Sequence, residues 1–117
     1  MKLRKGEEVP RPRPWRVVVH NLNAGRGWAE LLAQAPGNLD RAWVEITSDP
    51  RSVANPSRQH RLKYDLKSIK LGGNELEQWQ YEITGGGRIW YAIDDAERTL
   101  YLTLAGTGHP RQTDRRR

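Results

Sequence analysis

Residues 75–106, ELEQWQYEITGGGRIWYAIDDAERTLYLTLAG, decide the fold. Apolar side chains recur there at every second position: Trp79, Tyr81 and Ile83, then Ile89, Tyr91 and Ile93, then Leu100, Leu102 and Leu104. A period of two is the strand period, so the stretch reads as strands at about 76–84, 88–94 and 99–105. Gly85-Gly86-Gly87 and the polar run DDAER join them as a meander. One sheet face is then consistently apolar. The other carries Gln80 and Glu82, Arg88 and Trp90, and Tyr101 and Thr103.

Upstream, HRLKYDLKSIKL (60–71) keeps the same period and gives one or two short strands before the turn Gly72-Gly73-Asn74. Further back the period becomes helical. In GRGWAELLAQA (25–35), Trp28, Leu31, Leu32 and Ala35 fall at i, i+3, i+4, i+7, and Pro36-Gly37 ends that helix. Leu39, Ala42, Trp43 and Ile46 repeat the spacing between an Asn38 N-cap and the Asp49-Pro50 stop. WRVVVHN (15–21) is β-branched and reads as a first strand. The expectation is α+β: an N-terminal strand, then a two-helix hairpin packed on one face of a mainly antiparallel sheet. Trp15, Trp28, Trp43 and Trp79 take core positions. RSVANPSRQH (51–60) is a polar loop.

The chain has 117 residues, room for one domain, expected over 15–114. Residues 1–14 alternate proline with charge and read as an extended basic arm, and 115–117 are a basic tail. Twenty Lys and Arg against fourteen Asp and Glu give a formal net charge of +6, which favours phosphate-rich or acidic partners. There are no cysteines, which removes disulfides and thiolate metal sites and suits a reducing cytoplasm. Neither a membrane span nor the apolar middle of a secretion signal is visible.

Arg88 stands on the polar face beside a pliable turn, where a planar guanidinium can fork onto a phosphate. The bland alternative is an ion pair with Glu82 or Asp94. The glycine triplet is a hairpin rather than a phosphate cradle, because no helix follows it. His109, in AGTGHPRQTD, and His60, in SRQHRLKYDL, are the imidazoles placed to exchange protons near neutrality; as loop residues both also suit a solvated role. His20 is given no role. Three dispersed histidines without an HxxxH or HxH pair make a poor metal site, and no cofactor is expected. Trp90 and Tyr101 are candidates for stacking on nucleotide bases, or for packing.

RLKYDL, YEITGGGRIWYAID and LTLAGTGHP, in this order after a strand and a helical hairpin, resemble landmarks of the RelE/ParE toxin superfamily of type II toxin–antitoxin modules, and most of all its RelE/YoeB branch of mRNA endonucleases. The resemblance implies metal-independent RNA cleavage on the ribosome, in which the RNA's 2′-hydroxyl attacks the adjacent phosphorus. It places Arg88 on the scissile phosphate and His109 as general acid. A histidine, His60, occupies the position of the family's carboxylate base, so that Glu82 competes with it for the role. Family members carry lysines where this chain has Gln80 and Glu82, and Lys63 or Arg61 are the candidates to restore that charge. Arg61, Lys63, Trp90, Tyr101 and Arg111 are the RNA-binding set. The implied partners are mRNA, the ribosome and a cognate antitoxin docking in an apolar groove. The resemblance also admits a non-catalytic, ParE-like gyrase inhibitor and an inactive RNA-binding member.

Overall fold

A computed structural model of the chain describes residues 2–10 and 15–108. They form β1 (Arg16–Val19), α1 (Leu22–Gln34), α2 (Pro36–Ser48), β2 (Gln59–Arg61), a 3-10 turn (Tyr64–Leu66), β3 (Ser68–Leu71), β4 (Asn74–Glu82), β5 (Arg88–Asp94) and β6 (Thr99–Gly106). The architecture is the expected α+β one, consistent with a RelE-like fold. Strands run in the order β1-β6-β5-β4-β2, with β3 also on β4. Among the described strands, only the β1–β6 pairing is parallel. Gln78 donates its backbone N–H to Lys67 O (3.0 Å) and accepts that of Leu62 (2.9 Å). Both bonds leave the same side of β4, so β2 and β3 follow one another along one edge, separated by the 3-10 turn. No helix among the described residues is long and apolar enough to cross a membrane.

The core lies between the helical hairpin and one sheet face. Leu31, Leu39, Ala42 and Ile46 meet Tyr81, Ile89, Tyr91, Ile93, Leu100 and Leu102 there, with Trp15 and Trp79 at its margins. Removing that apolar surface from water is the main favourable term, at roughly 25 cal/mol per Å².

Both helices begin earlier than the spacing predicts. Asn21 caps α1 through Ala24 N–H (2.8 Å) and donates to Thr103 O (3.0 Å), so the helix starts at Leu22. Such a cap contributes about 1 kcal/mol. Pro36 opens α2, a position where its missing N–H costs nothing, and Ala35 separates the two helices. Asn38 is therefore no cap; it donates to Ile83 O (3.0 Å) and ties α2 to the end of β4.

The buried stripe of α1 is Ala24, Gly27 and Leu31, while Leu32 is exposed. Gly27 explains the rotation. A Cβ at this position would lie 1.7 Å from Ala105 O, so only glycine lets the helix sit this close to β6. A bulge accompanies that approach. Leu102 pairs with Tyr91 but Leu104 pairs with Trp90, leaving Thr103 as the extra residue. Beyond it the alternation inverts: Leu104 leaves the helix-covered face and the smaller Ala105 packs on the core instead. Trp43 also departs from expectation, being 40% exposed on the outside of α2, edge-on to Trp28 with ring centres 6.0 Å apart.

Candidate functional site: the open sheet face

The face turned away from the helices is built from rows of residues brought level by strand register. One row runs His60, Gln80, Trp90, Leu104 across β2, β4, β5 and β6. The next runs Glu82, Arg88, Gly106. On the other side lie Gln78, Ala92 and Tyr101. His60, Glu82, Arg88, Trp90 and Tyr101, which the sequence assigned to four separate segments, thus share one face. Adjacent rows are about 7 Å apart along a strand, and neighbouring strands about 5 Å. His60 and Arg88 therefore stand roughly 12 Å apart at Cα. Two side chains of this length close such a gap over one phosphodiester.

A hydrogen-bonded chain crosses the first row. Trp90 Nε1–H donates to Gln80 Oε1 (2.8 Å). Gln80 Nε2 faces His60 Nε2 (3.4 Å), and His60 Nδ1 meets Arg61 O (3.1 Å). Both ends of this chain have only one possible polarity. Indole N–H is a donor only, so Gln80 presents its oxygen to Trp90 and its amide nitrogen to His60. A backbone carbonyl is an acceptor only, so Nδ1 carries the imidazole proton. The neutral Nδ1–H tautomer satisfies every link, and it leaves the Nε2 lone pair on the open face against a long, weak contact. That is the nitrogen a base would use.

Arg88 is half-buried at the start of β5, directly across from Glu82. The turn before it is closed by Thr84, whose Oγ1 accepts from Gly87 N–H (2.8 Å). A Cβ on Gly87 would come within 2.8 Å of that oxygen and 3.2 Å of both Gly106 O and Leu31. The third glycine of the triplet is thus a packing requirement, and it delivers the chain to Arg88 in a fixed position. Gly86 lies against Thr107 and Gly108, with contacts of 3.6 and 3.7 Å for a Cβ there. The strand that leads to His109 accordingly leaves the sheet beside Arg88. His109 and Arg111 lie outside the described residues.

The edge cations are placed differently. Arg61 shares its parity with Gln59 and Trp79, so it belongs to the helix-side face, where it approaches Glu77 (3.9 Å) and Lys67 O (3.4 Å). It does not stand with His60. Lys63 is exposed just before the 3-10 turn. Glu77 belongs to a cluster invisible in the sequence. Arg51, from the polar loop, grips Asp95 with Nη1 and Nη2 (2.9 and 2.8 Å) and Glu77 with Nε (2.7 Å), and Trp79 Nε1–H adds a bond to Glu77 (2.9 Å). The Arg51 bond to Asp95 holds that carboxyl below its ordinary range against a little burial. Burial pushes Glu77 up, but the Arg51 and Trp79 hydrogen bonds and the charge of Arg51 outweigh it and hold it low.

Two recesses flank the face. One of about 450 Å³ lies between the start of α1 and the end of β6, lined by Asn21, Asn23, Thr103, Leu104 and Gly108 among others. The second, about 350 Å³, gathers Arg41, Arg58, Asn38, Ser57 and Glu82 at the end of β4. Arg58 holds Glu82 N–H on its backbone carbonyl (2.8 Å). Arg41 and Arg58 were not singled out from the sequence, because nothing in a polar loop or on a helix exterior marks two arginines as neighbours of Glu82. Among the described residues no three His, Cys, Asp or Glu side chains gather to hold a metal ion.

No protein-family model and no curated protein matches the sequence. Among solved structures, the solution structure of a conserved hypothetical protein from Helicobacter pylori is similar in fold, with a TM-score of 0.51 at 18% identity over 80% of this chain and 93% of the other. At that identity the likeness speaks for the fold.

Proposed function

We propose that the chain is the toxin of a type II toxin–antitoxin pair and a metal-independent endoribonuclease that cleaves mRNA on the ribosome. The observation that carries the reading is the placement, on one open face, of an imidazole with a guanidinium one register row and two strands away. His60 Nε2 exchanges its long contact with Gln80 for the RNA 2′-hydroxyl and takes its proton. The 2′-oxygen attacks phosphorus, and Arg88 stabilises the charge growing on the non-bridging oxygens. His109 protonates the departing 5′-oxygen, which leaves a 2′,3′-cyclic phosphate and a 5′-hydroxyl. Glu82 is the competing base; its place opposite Arg88 suits it equally to holding the guanidinium.

Induction of the wild type should arrest growth and produce new mRNA 5′ ends within minutes. Arg88→Ala and His109→Ala, still folded, should abolish both effects. Arrest that survives the two changes would exclude cleavage and favour the non-catalytic ParE-like alternative. His60→Asn compared with Glu82→Gln decides the base: the one whose loss removes cleavage without loss of RNA binding holds the role.

The antitoxin belongs to the opposite side. Trp28, Leu32, Pro36, Leu39 and Trp43 line an apolar hollow of about 220 Å³ on the outer surface of the hairpin. Leu32, Trp43 and Val44 are each at least 40% exposed. An apolar surface of this kind suits a partner segment that folds as it binds.

A further inference from the structure

Tyr64 is a poor residue for the place it occupies. Its φ is +57°, in the left-handed region that favours glycine and is rare for a bulky side chain. The conformation is imposed by the turn. Leu66 N–H bonds Lys63 O (3.1 Å) and Lys67 N–H bonds Tyr64 O (3.2 Å). Gln78, buried in β4, then clamps the exit through its side-chain bond to Leu66 O (2.9 Å) and its backbone bond to Lys67 O (3.0 Å). Gln78 is itself held by the Thr103 hydroxyl. The turn is therefore rigid, and a glycine would form it with less strain. The phenol returns nothing to the fold: it is 86% exposed, more than any other large hydrophobic side chain among the described residues. Stability does not account for a tyrosine here.

Its surroundings suggest what does. Lys63 precedes the ring and Lys67 follows the turn, both exposed, with one acidic residue, Asp65, between them; Arg61 and Lys70 lie on the helix-side face, level with Trp79 and Glu75. The turn follows His60 by a few residues, at the β4 edge of the open face. A rigid aromatic ring projecting into solvent among cations is the arrangement that stacks an unpaired base while the cations track the phosphates.

We infer that Tyr64 is a stacking platform for one base of single-stranded RNA, at the edge of the face that carries His60 and Arg88. The inference rests on the proposed action on mRNA, but the site itself needs no chemistry. Strain at Tyr64 is then the cost of holding the ring in place before the RNA arrives.

The test uses the full-length protein and a fluorescent single-stranded oligonucleotide of about ten residues, 2′-O-methylated so that it cannot be cleaved. Tyr64→Gly should bind it roughly 5- to 100-fold more weakly, the range expected for loss of one stacked base, and should melt at a higher temperature than the wild type. Tyr64→Phe should keep the affinity, and binding of an RNA duplex should be unchanged in both. Wild-type affinity in Tyr64→Gly would overturn the inference, as would loss of affinity in Tyr64→Phe, a lower melting temperature in Tyr64→Gly, or no binding of the oligonucleotide by the wild type. The two readings fail separately. Tyr64-dependent binding without any cleavage of unmodified RNA would leave the platform standing and remove the nuclease; Arg88-dependent cleavage with Tyr64→Gly binding normally would do the reverse.

Discussion

At the scale of single residues, the chain Trp90–Gln80–His60 makes the sharpest prediction, because its polarity is fixed at both ends. Long-range 15N–1H spectra of the imidazole above neutral pH should show a protonated Nδ1 and a bare Nε2. Trp90→Phe removes the donor that orients Gln80, so the amide turns and the tautomers should mix. In Gln80→Glu the carboxylate accepts from both sides, and the proton should move to Nε2. A purely structural role for Gln80 would leave the tautomer unchanged. Arg88 has its own test: Arg88→Lys keeps the charge but loses the fork, and cleavage should fall by roughly 100-fold while the melting temperature stays close to that of the wild type. Alternation within β5 was enough to turn Arg88 outward from the sequence alone. The link between His60 and Trp90 was not legible, since it depends on which residue of β2 lies level with which of β4. Gln80 was read as a lysine lost, and its amide, able to donate and accept at once, supplies what a lysine could not.

At the scale of elements, the meander was legible and the joints were not. Residues 75–106 hold one period for three strands, and such repetition survives any local surprise. The bulge at Thr103 escaped because it adds a residue without altering composition, which sent Leu104 to the open face and Ala105 to the core. Gly27→Ala tests the approach that the bulge serves. With a Cβ 1.7 Å from Ala105 O, helix and strand must separate, and urea unfolding should show a loss of about 3 kcal/mol or more. Gly37→Ala, with open space around its Cβ position, is the control and should not destabilise. Arg51 is a second joint, tying its loop to β4 and to the β5–β6 turn. Its partners Glu77 and Asp95 are held below their ordinary pKa when folded. Their contribution is thus complete above the unfolded-state values near 4 and lost as pH falls through the lower folded ones. Arg51→Met should cost roughly 1 kcal/mol at pH 7, allowing for solvent screening of partly exposed groups, and should flatten the acid limb of the stability profile. An acid limb as steep as that of the wild type would show that the cluster does not set it.

At the scale of the whole molecule, the hairpin divides the surface into two kinds. The sheet face is polar and cationic at its edges; the hairpin's outer face is apolar around Trp28 and Trp43. If RNA takes the first and the antitoxin the second, a substitution on either side should leave the other function intact. Trp43→Asp puts a charge in the apolar hollow without touching the buried stripe of Leu39, Ala42 and Ile46. It should abolish capture of a co-expressed antitoxin and leave RNA cleavage unchanged. Arg88→Ala should behave in the opposite way. Salt supplies an independent reading of the same division. Each phosphate contact on a single strand contributes about 0.7 to the slope of log affinity against log salt, so Arg88→Ala should lower that slope by close to this amount and Trp43→Asp should not change it. Antitoxin capture, resting on apolar burial, should weaken little over the same range of salt. Equal loss of antitoxin and RNA binding in Trp43→Asp, with the protein folded, would mean that the two partners share a surface.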